Sequence, residues 1–107
     1  MGETEIRDKL EDYISLLKQK FNLRMVVLYG SFADGTADEN SDIDLAVFVD
    51  SQKDRDYLQD SALLNRLIIE TDTRIEPILY YSEELNSIEQ ASFLSDILKR
   101  GIVLYKN

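Results

Sequence analysis

Met25-Val-Val-Leu-Tyr-Gly-Ser31 is followed, ten residues on, by Asp42-Ile-Asp-Leu-Ala-Val-Phe-Val-Asp50. The first is a short, nearly continuous apolar run, the pattern of a buried strand rather than of one helix face. In the second, period-two alternation puts Ile43, Leu45, Val47 and Val49 on one face and Asp42, Asp44, Ala46 and Phe48 on the other. The first run stops at Gly30-Ser31. The polar stretch from Asp34 to Ser41, with Gly35 in it, reads as loop.

The flanks extend the pattern. Upstream, Ile6, Leu10, Tyr13, Ile14 and Leu17 recur at helical spacing, which predicts a helix from an N-cap at Thr4 to Gln19 or Lys20. Downstream, Leu58, Ala62, Leu63, Leu67 and Ile68 outline a second amphipathic helix between Asp54 and Glu70. Arg74-Ile-Glu-Pro-Ile-Leu-Tyr-Tyr81 predicts a third strand, and Pro77, which has no donor for the ladder, favours a sheet edge or a bulge. A last helix, capped by Ser82 or Ser87, turns Ala91, Leu94, Ile97 and Leu98 inward and ends in Lys99-Arg100 before a C-terminal Gly101. Ile102-Val-Leu-Tyr105 supplies a fourth strand. The alternation predicts an α/β (α+β) layered fold, a mixed four-stranded sheet with helices packed on it, as one domain over residues 1–107.

Composition narrows the chemistry. The 107 residues include 21 acids against 12 bases, and no His, Cys or Trp. Without Cys there is no disulfide framework, thiolate nucleophile or sulfur-ligated metal; without His there is no Ser-His-Asp triad and no imidazole base. Carboxylates, hydroxyls, Lys, Arg and backbone amides remain, and oxygen ligands suit hard cations such as Mg²⁺. A net charge of -9 argues against direct nucleic-acid binding and suits a basic protein partner. The start, Met1-Gly-Glu-Thr-Glu, has no secretory pattern, and no apolar stretch approaches a membrane span. A cytoplasmic protein without membrane contact is the expectation.

Asp42 and Asp44, at positions i and i+2 of a strand, point to one side, roughly 6.6 Å apart along the backbone. Carboxylates so spaced suit the divalent cations that two-metal phosphoryl-transfer sites hold about 3.5–4 Å apart. Taken alone, the triplet reads equally as two solvent-facing acids at a strand end, and Gly30-Ser31 reads equally as a turn. Together they gain meaning. Gly lets a phosphate approach the backbone, Ser offers a hydroxyl and an amide, and the short polar crossover sets this cradle beside the carboxylates.

Gly30-Ser-Phe-Ala-Asp-Gly35 followed by Ser41-Asp-Ile-Asp-Leu-Ala46 resembles the signature of the minimal nucleotidyltransferases of the DNA polymerase β-like superfamily: Gly-Ser, ten residues, then Asp-x-Asp. Within that superfamily the chain resembles the MntA-like antitoxins that accompany HEPN-domain toxins; the ending Gly101-Ile-Val-Leu-Tyr105 is similar as well. The resemblance implies a polymerase β palm-like fold and transfer of AMP from ATP. It implies two Mg²⁺ held by Asp42 and Asp44, the β- and γ-phosphates on Gly30 and Ser31, and a third carboxylate on the next strand. It also implies an acceptor outside this short chain, a tyrosine of the partner HEPN toxin.

Glu76 is the candidate for the third carboxylate, as metal ligand or as base, because it shares a strand face with Arg74, Ile78 and Tyr80. The alternative is an edge ion pair of Glu76 with Arg74, and Glu70 and Asp72 compete for the role. Two positions depart from the family pattern. Asp is frequent where Glu76 stands, and a basic residue is frequent where Asp34 stands. Lys18, Lys20 and Arg24 are the candidates for compensating positive charge. Phe48, Tyr80, Tyr81 and Tyr105 read as sheet packing. Two other functions fit the same residues: a non-catalytic antitoxin that masks a basic partner, and a catalytic subunit whose small-molecule acceptor is held by another chain.

Overall fold

In the computed structural model, which describes residues 3–38, 40–88 and 92–107, the apolar stripe Leu10, Tyr13, Leu17 lies on helix α1, Glu3–Lys20, and is buried. The helix includes Thr4 in its first turn, so Thr4 does not cap it. Strand β1, Leu23–Tyr29, leads into a one-turn helix α2, Ser31–Asp34, that precedes the expected loop and takes in its first residue. Strand β2 spans Ile43–Val49, helix α3 Tyr57–Ile68, strand β3 Ile75–Tyr81, helix α4 Phe93–Arg100 and strand β4 Ile102–Lys106.

The sheet has the order β3-β2-β1-β4. β1 pairs antiparallel with both β2 and β4, while β2 and β3 are parallel, joined through α3. The sheet is therefore mixed. β3 takes an edge, where Pro77 withholds no bond that a central strand would need. Ile43, Leu45, Val47 and Val49 enter one core with Leu10, Tyr13, Leu17, Leu64 and Leu67. Ala46 and Phe48 enter a second core on the opposite face, with Met25, Val27 and Ile97. The two faces of β2 thus divide as the alternation predicts.

Two helices differ from expectation. α3 begins at the capping box Asp56–Gln59 rather than at Asp54, and its buried positions are Asp60, Leu64 and Leu67. Leu58 is 77% exposed. The helix is turned so that the Tyr13 hydroxyl donates to the Leu64 carbonyl at 2.9 Å and Asp60 faces inward toward Arg55 and Tyr81. α4 is capped by Ser92, whose hydroxyl accepts from the Ser95 amide, because residues 82–86 form a separate 3-10 turn. Ser82 and Ser87 therefore cap neither end of it; Ala91 lies outside the described residues. Gly101 is extended (φ -75°), not left-handed. It is required for space: a Cβ there would collide with Val27 Cγ1 and sit 2.5 Å from the Ile97 carbonyl. Phe48 and Tyr80 stack with centroids 5.2 Å apart, as packing residues.

Candidate active site

Three neighbouring strands bring the site together. Tyr29 at the end of β1 is paired with Asp44 of β2, and Asp44 in turn with Glu76 of β3. Neighbouring strands lie about 4.7–4.9 Å apart, so these three residues form a row on one face of the sheet. Asp42 stands just ahead of β2, two residues from Asp44 and on its side. Gly30 directly follows Tyr29. Its φ of 76° is a conformation that side chains resist, and a Cβ there would collide with Asp44 Oδ2. Glycine at this position lets the Asp44 carboxylate lie against the turn. Ser31 then opens α2, where the first amides of a helix lack partners one turn back.

The electrostatics are those of crowded anions. Partial burial and the neighbouring Asp42 push the Asp44 carboxyl above its ordinary value. Glu76 is raised chiefly by the charge of Asp42, then by burial, by Asp44 and by a hydrogen bond with Asp42. The Tyr29 hydroxyl is pushed up to about 12 by burial and then by Asp44, Tyr80 and Glu76. The ion pairs among the described residues are Arg24–Asp50, Arg55–Asp60, Arg74–Asp72 and Arg100–Asp96, and none involves Asp42, Asp44 or Glu76.

The other readings of β3 are resolved by these contacts. Arg74 does not pair with Glu76; its Nε and Nη2 donate to Asp72 Oδ1 and Oδ2 at 3.0 and 2.6 Å. That bidentate pair also occupies Asp72, while Glu70 lies in the turn after α3. Asp34 accepts from the Thr36 amide and hydroxyl through one oxygen, at 3.0 and 2.6 Å, which lowers its pKa. The bases expected to offset it lie elsewhere. Arg24, at the opposite end of β1 from Gly30, binds Asp50, Lys18 stands over the Tyr105 ring at 5.1 Å, and Lys20 lies in the last turn of α1.

The carboxylates fit a hard divalent cation. Their unrelieved repulsion is what such an ion removes, and the missing Cβ of Gly30 leaves room against Asp44. Among the described residues no three acids are gathered tightly enough to hold a metal ion alone. Mg²⁺ suits that arrangement, since it is bound through one or two carboxylates with substrate phosphates and water. Two cavities flank the row. One, of about 450 Å³, is bordered by Tyr29, Asp44, Asn65, Thr73 and Glu76; the other, of about 200 Å³, by Tyr29, Gly30, Asp34, Asp96 and Arg100. Tyr29 and Arg100 border these cavities without having been singled out as candidates in the sequence. Only the adjacency of Tyr29 to Gly30-Ser31 pointed toward the first.

A strand-end Gly-Ser facing an Asp-x-Asp across a mixed sheet defines a class, the nucleotidyl-transferring palm. Residues 11–107 match the family described as polymerase beta, nucleotidyltransferase, and the chain belongs to that family. It is 32% identical over 98 residues to a candidate protein adenylyltransferase of Methanocaldococcus jannaschii, covering 90% of this chain and 94% of that protein. The fold is shared with a crystal structure of a toxin-antitoxin with AMP-PNP, at TM-score 0.65 and 24% identity over 94% of this chain and 73% of the other. It is likewise shared with the toxin-antitoxin MntA-HpeT in a mutant form, at TM-score 0.62 and 20% identity, with the same coverage. The chain is a nucleotidyltransferase. No helix among the described residues is long and apolar enough to cross a membrane.

Proposed function

We propose that residues 1–107 form a single minimal nucleotidyltransferase domain that transfers AMP from ATP, with Mg²⁺, to a tyrosine hydroxyl of a partner HEPN toxin, and so acts as its antitoxin. The observation that carries the chemistry is the cross-strand row Tyr29–Asp44–Glu76 beside Gly30. The acceptor class draws its support from the relative described as a protein adenylyltransferase, and the partner from the fold shared with toxin-antitoxin complexes.

In this reading Asp42 and Asp44 hold the metal, with Glu76 as third ligand or as base. Mg²⁺, when bound, neutralises phosphate charge and polarises the α-phosphoryl group. Gly30 and Ser31 present backbone amides and a hydroxyl to the β- and γ-phosphates. The acceptor hydroxyl attacks the α-phosphorus, the bond to the bridging oxygen breaks, and pyrophosphate leaves. Glu76, next to Asp44 across the sheet, is suited to take the hydroxyl proton. The net charge of -9 suits docking to a basic partner surface.

The test is the intact mass of the co-purified partner after incubation with ATP and Mg²⁺. The expected result is a gain of one AMP unit per modified tyrosine, lost with the Asp42→Asn/Asp44→Asn double variant. AMP found on a small molecule and never on protein would replace the protein acceptor. Toxin neutralised equally well by the double variant would make the chain a masking antitoxin instead.

A further inference from the structure

The distribution of positive charge around the row is uneven. Among the described residues the larger cavity, where Asp44 and Glu76 sit, has no Lys or Arg on its wall. Among the described residues the smaller one, where Gly30 sits, has a single cation on its wall, Arg100. Tyr29, at the end of β1, borders both. A nucleotide whose α-phosphate lies at the carboxylates and whose tail crosses Gly30 carries its terminal phosphate into the smaller cavity.

We propose that Arg100 receives the terminal phosphate of the bound nucleoside triphosphate and makes the site select triphosphates over monophosphates. This rests on the nucleotide reading given above. Arg100 is the last residue of α4, and Gly101 is pressed against Val27 of β1, which fixes the helix end beside the strand that leads to Gly30. Arg100 Nε faces Asp96 Oδ1 at 3.1 Å; its Nη1 and Nη2 have no partner among the described residues. Those two groups form the outer fork of a guanidinium, the geometry that binds phosphate oxygens in pairs.

The Arg100–Asp96 pair is a weak stabiliser, because its side chains are 82% and 57% exposed. Its effect is to orient the fork while leaving the fork's outer donors free. Two acids share this wall: Asp96 pairs with Arg100, and Asp34 accepts two hydrogen bonds from Thr36. A terminal phosphate brings about two negative charges at neutral pH. On a chain of net charge -9, a cation at its destination weighs heavily in affinity.

The test compares equilibrium binding of AMP-PNP and of AMP, each with Mg²⁺, to wild type, Arg100→Gln and Arg100→Met. Either variant carries the comparison if the other fails to fold, which circular dichroism reports. The expected result is a loss of about ten- to a hundredfold in AMP-PNP affinity with AMP affinity within about twofold of wild type. Arg100→Lys keeps the charge without the fork and is expected between the two. Equal affinities of wild type and variant for AMP-PNP, or equal weakening of both nucleotides, overturns the assignment to Arg100 alone. A wild-type chain that binds no AMP-PNP overturns the nucleotide reading and this inference together.

Discussion

Gly30 is where backbone conformation and site chemistry meet. Its positive φ with a ψ of -153° is a conformation almost confined to glycine and strains an L-residue by about 1–3 kcal/mol, and the collision with Asp44 Oδ2 adds to that. Gly30→Ala is therefore expected to lower the melting temperature by several degrees and to abolish AMP transfer, read by thermal melts and transfer rates side by side. A second expectation separates the carboxylates. Asp44→Asn should eliminate transfer, whereas Glu76→Gln, which removes a base, should slow it by about 10²–10⁴-fold; an unchanged rate for Glu76→Gln removes Glu76 from the proton step. The pKa shifts give a third. Asp44 and Glu76 are both raised in the fold, so the native state holds their protons more tightly than the unfolded chain. The cost of charging them, from burial and Asp42 at Asp44 and chiefly from Asp42 at Glu76, is absent below the ordinary carboxylate values and builds as pH rises through the raised ones. Asp44→Asn should thus raise the metal-free melting temperature at neutral pH, with the gain shrinking as pH falls toward 4. Asp42 and Asp44 were legible because strand period alone sets two acids on one side. Arg100 was not, since its approach to Gly30 depends on where α4 ends against β1.

At the scale of the element, α3 shows what periodicity can and cannot read. α1 followed its apolar stripe faithfully, because every inward position there is apolar or Tyr13. α3 puts a charge inward. Asp60 is 1% exposed, accepts from the Tyr81 hydroxyl at 2.8 Å, and meets Arg55 Nε at 3.0 Å in an ion pair that lacks hydrogen-bond alignment. A pattern counting only apolar residues rotates this helix toward Leu58, whereas Asp60 rotates it toward Leu64 and Leu67. The Asp60 contacts tie α3 to the end of β3, and hence hold the strand that carries Glu76. Asp60→Ala strands Arg55, which is 25% exposed and stacks over Phe21. The expected loss is about 2–4 kcal/mol in urea denaturation, somewhat under the range for a fully buried pair. Asp60→Asn, which still accepts from Tyr81, should lose less.

At the scale of the whole molecule, the class of fold was legible from alternating elements, but the strand order was not. The strand patterns carry no neighbour information, and only the assembled sheet decides that β1 lies between β2 and β4. That order is what gathers Tyr29, Asp44 and Glu76, so the sequence named Gly30-Ser31, Asp42, Asp44 and Glu76 as candidates without showing the row they form with Tyr29. It also makes two kinds of negative charge distinguishable by experiment. The dispersed excess behind the net charge of -9 is screened by any salt, with a Debye length of about 10 Å at 0.1 M. The carboxylate row is local and lacks a side-chain cation among the described residues. Raising NaCl from low ionic strength should therefore raise the melting temperature modestly in wild type and in Asp42→Asn/Asp44→Asn alike. MgCl₂ at matched ionic strength should add a further rise in wild type alone. For a domain of this size each kcal/mol of added stability is worth about 4–8 °C, so binding at a hundred times the dissociation constant is readily seen. A magnesium increment that persists in the double variant would place the ion elsewhere on the acidic surface.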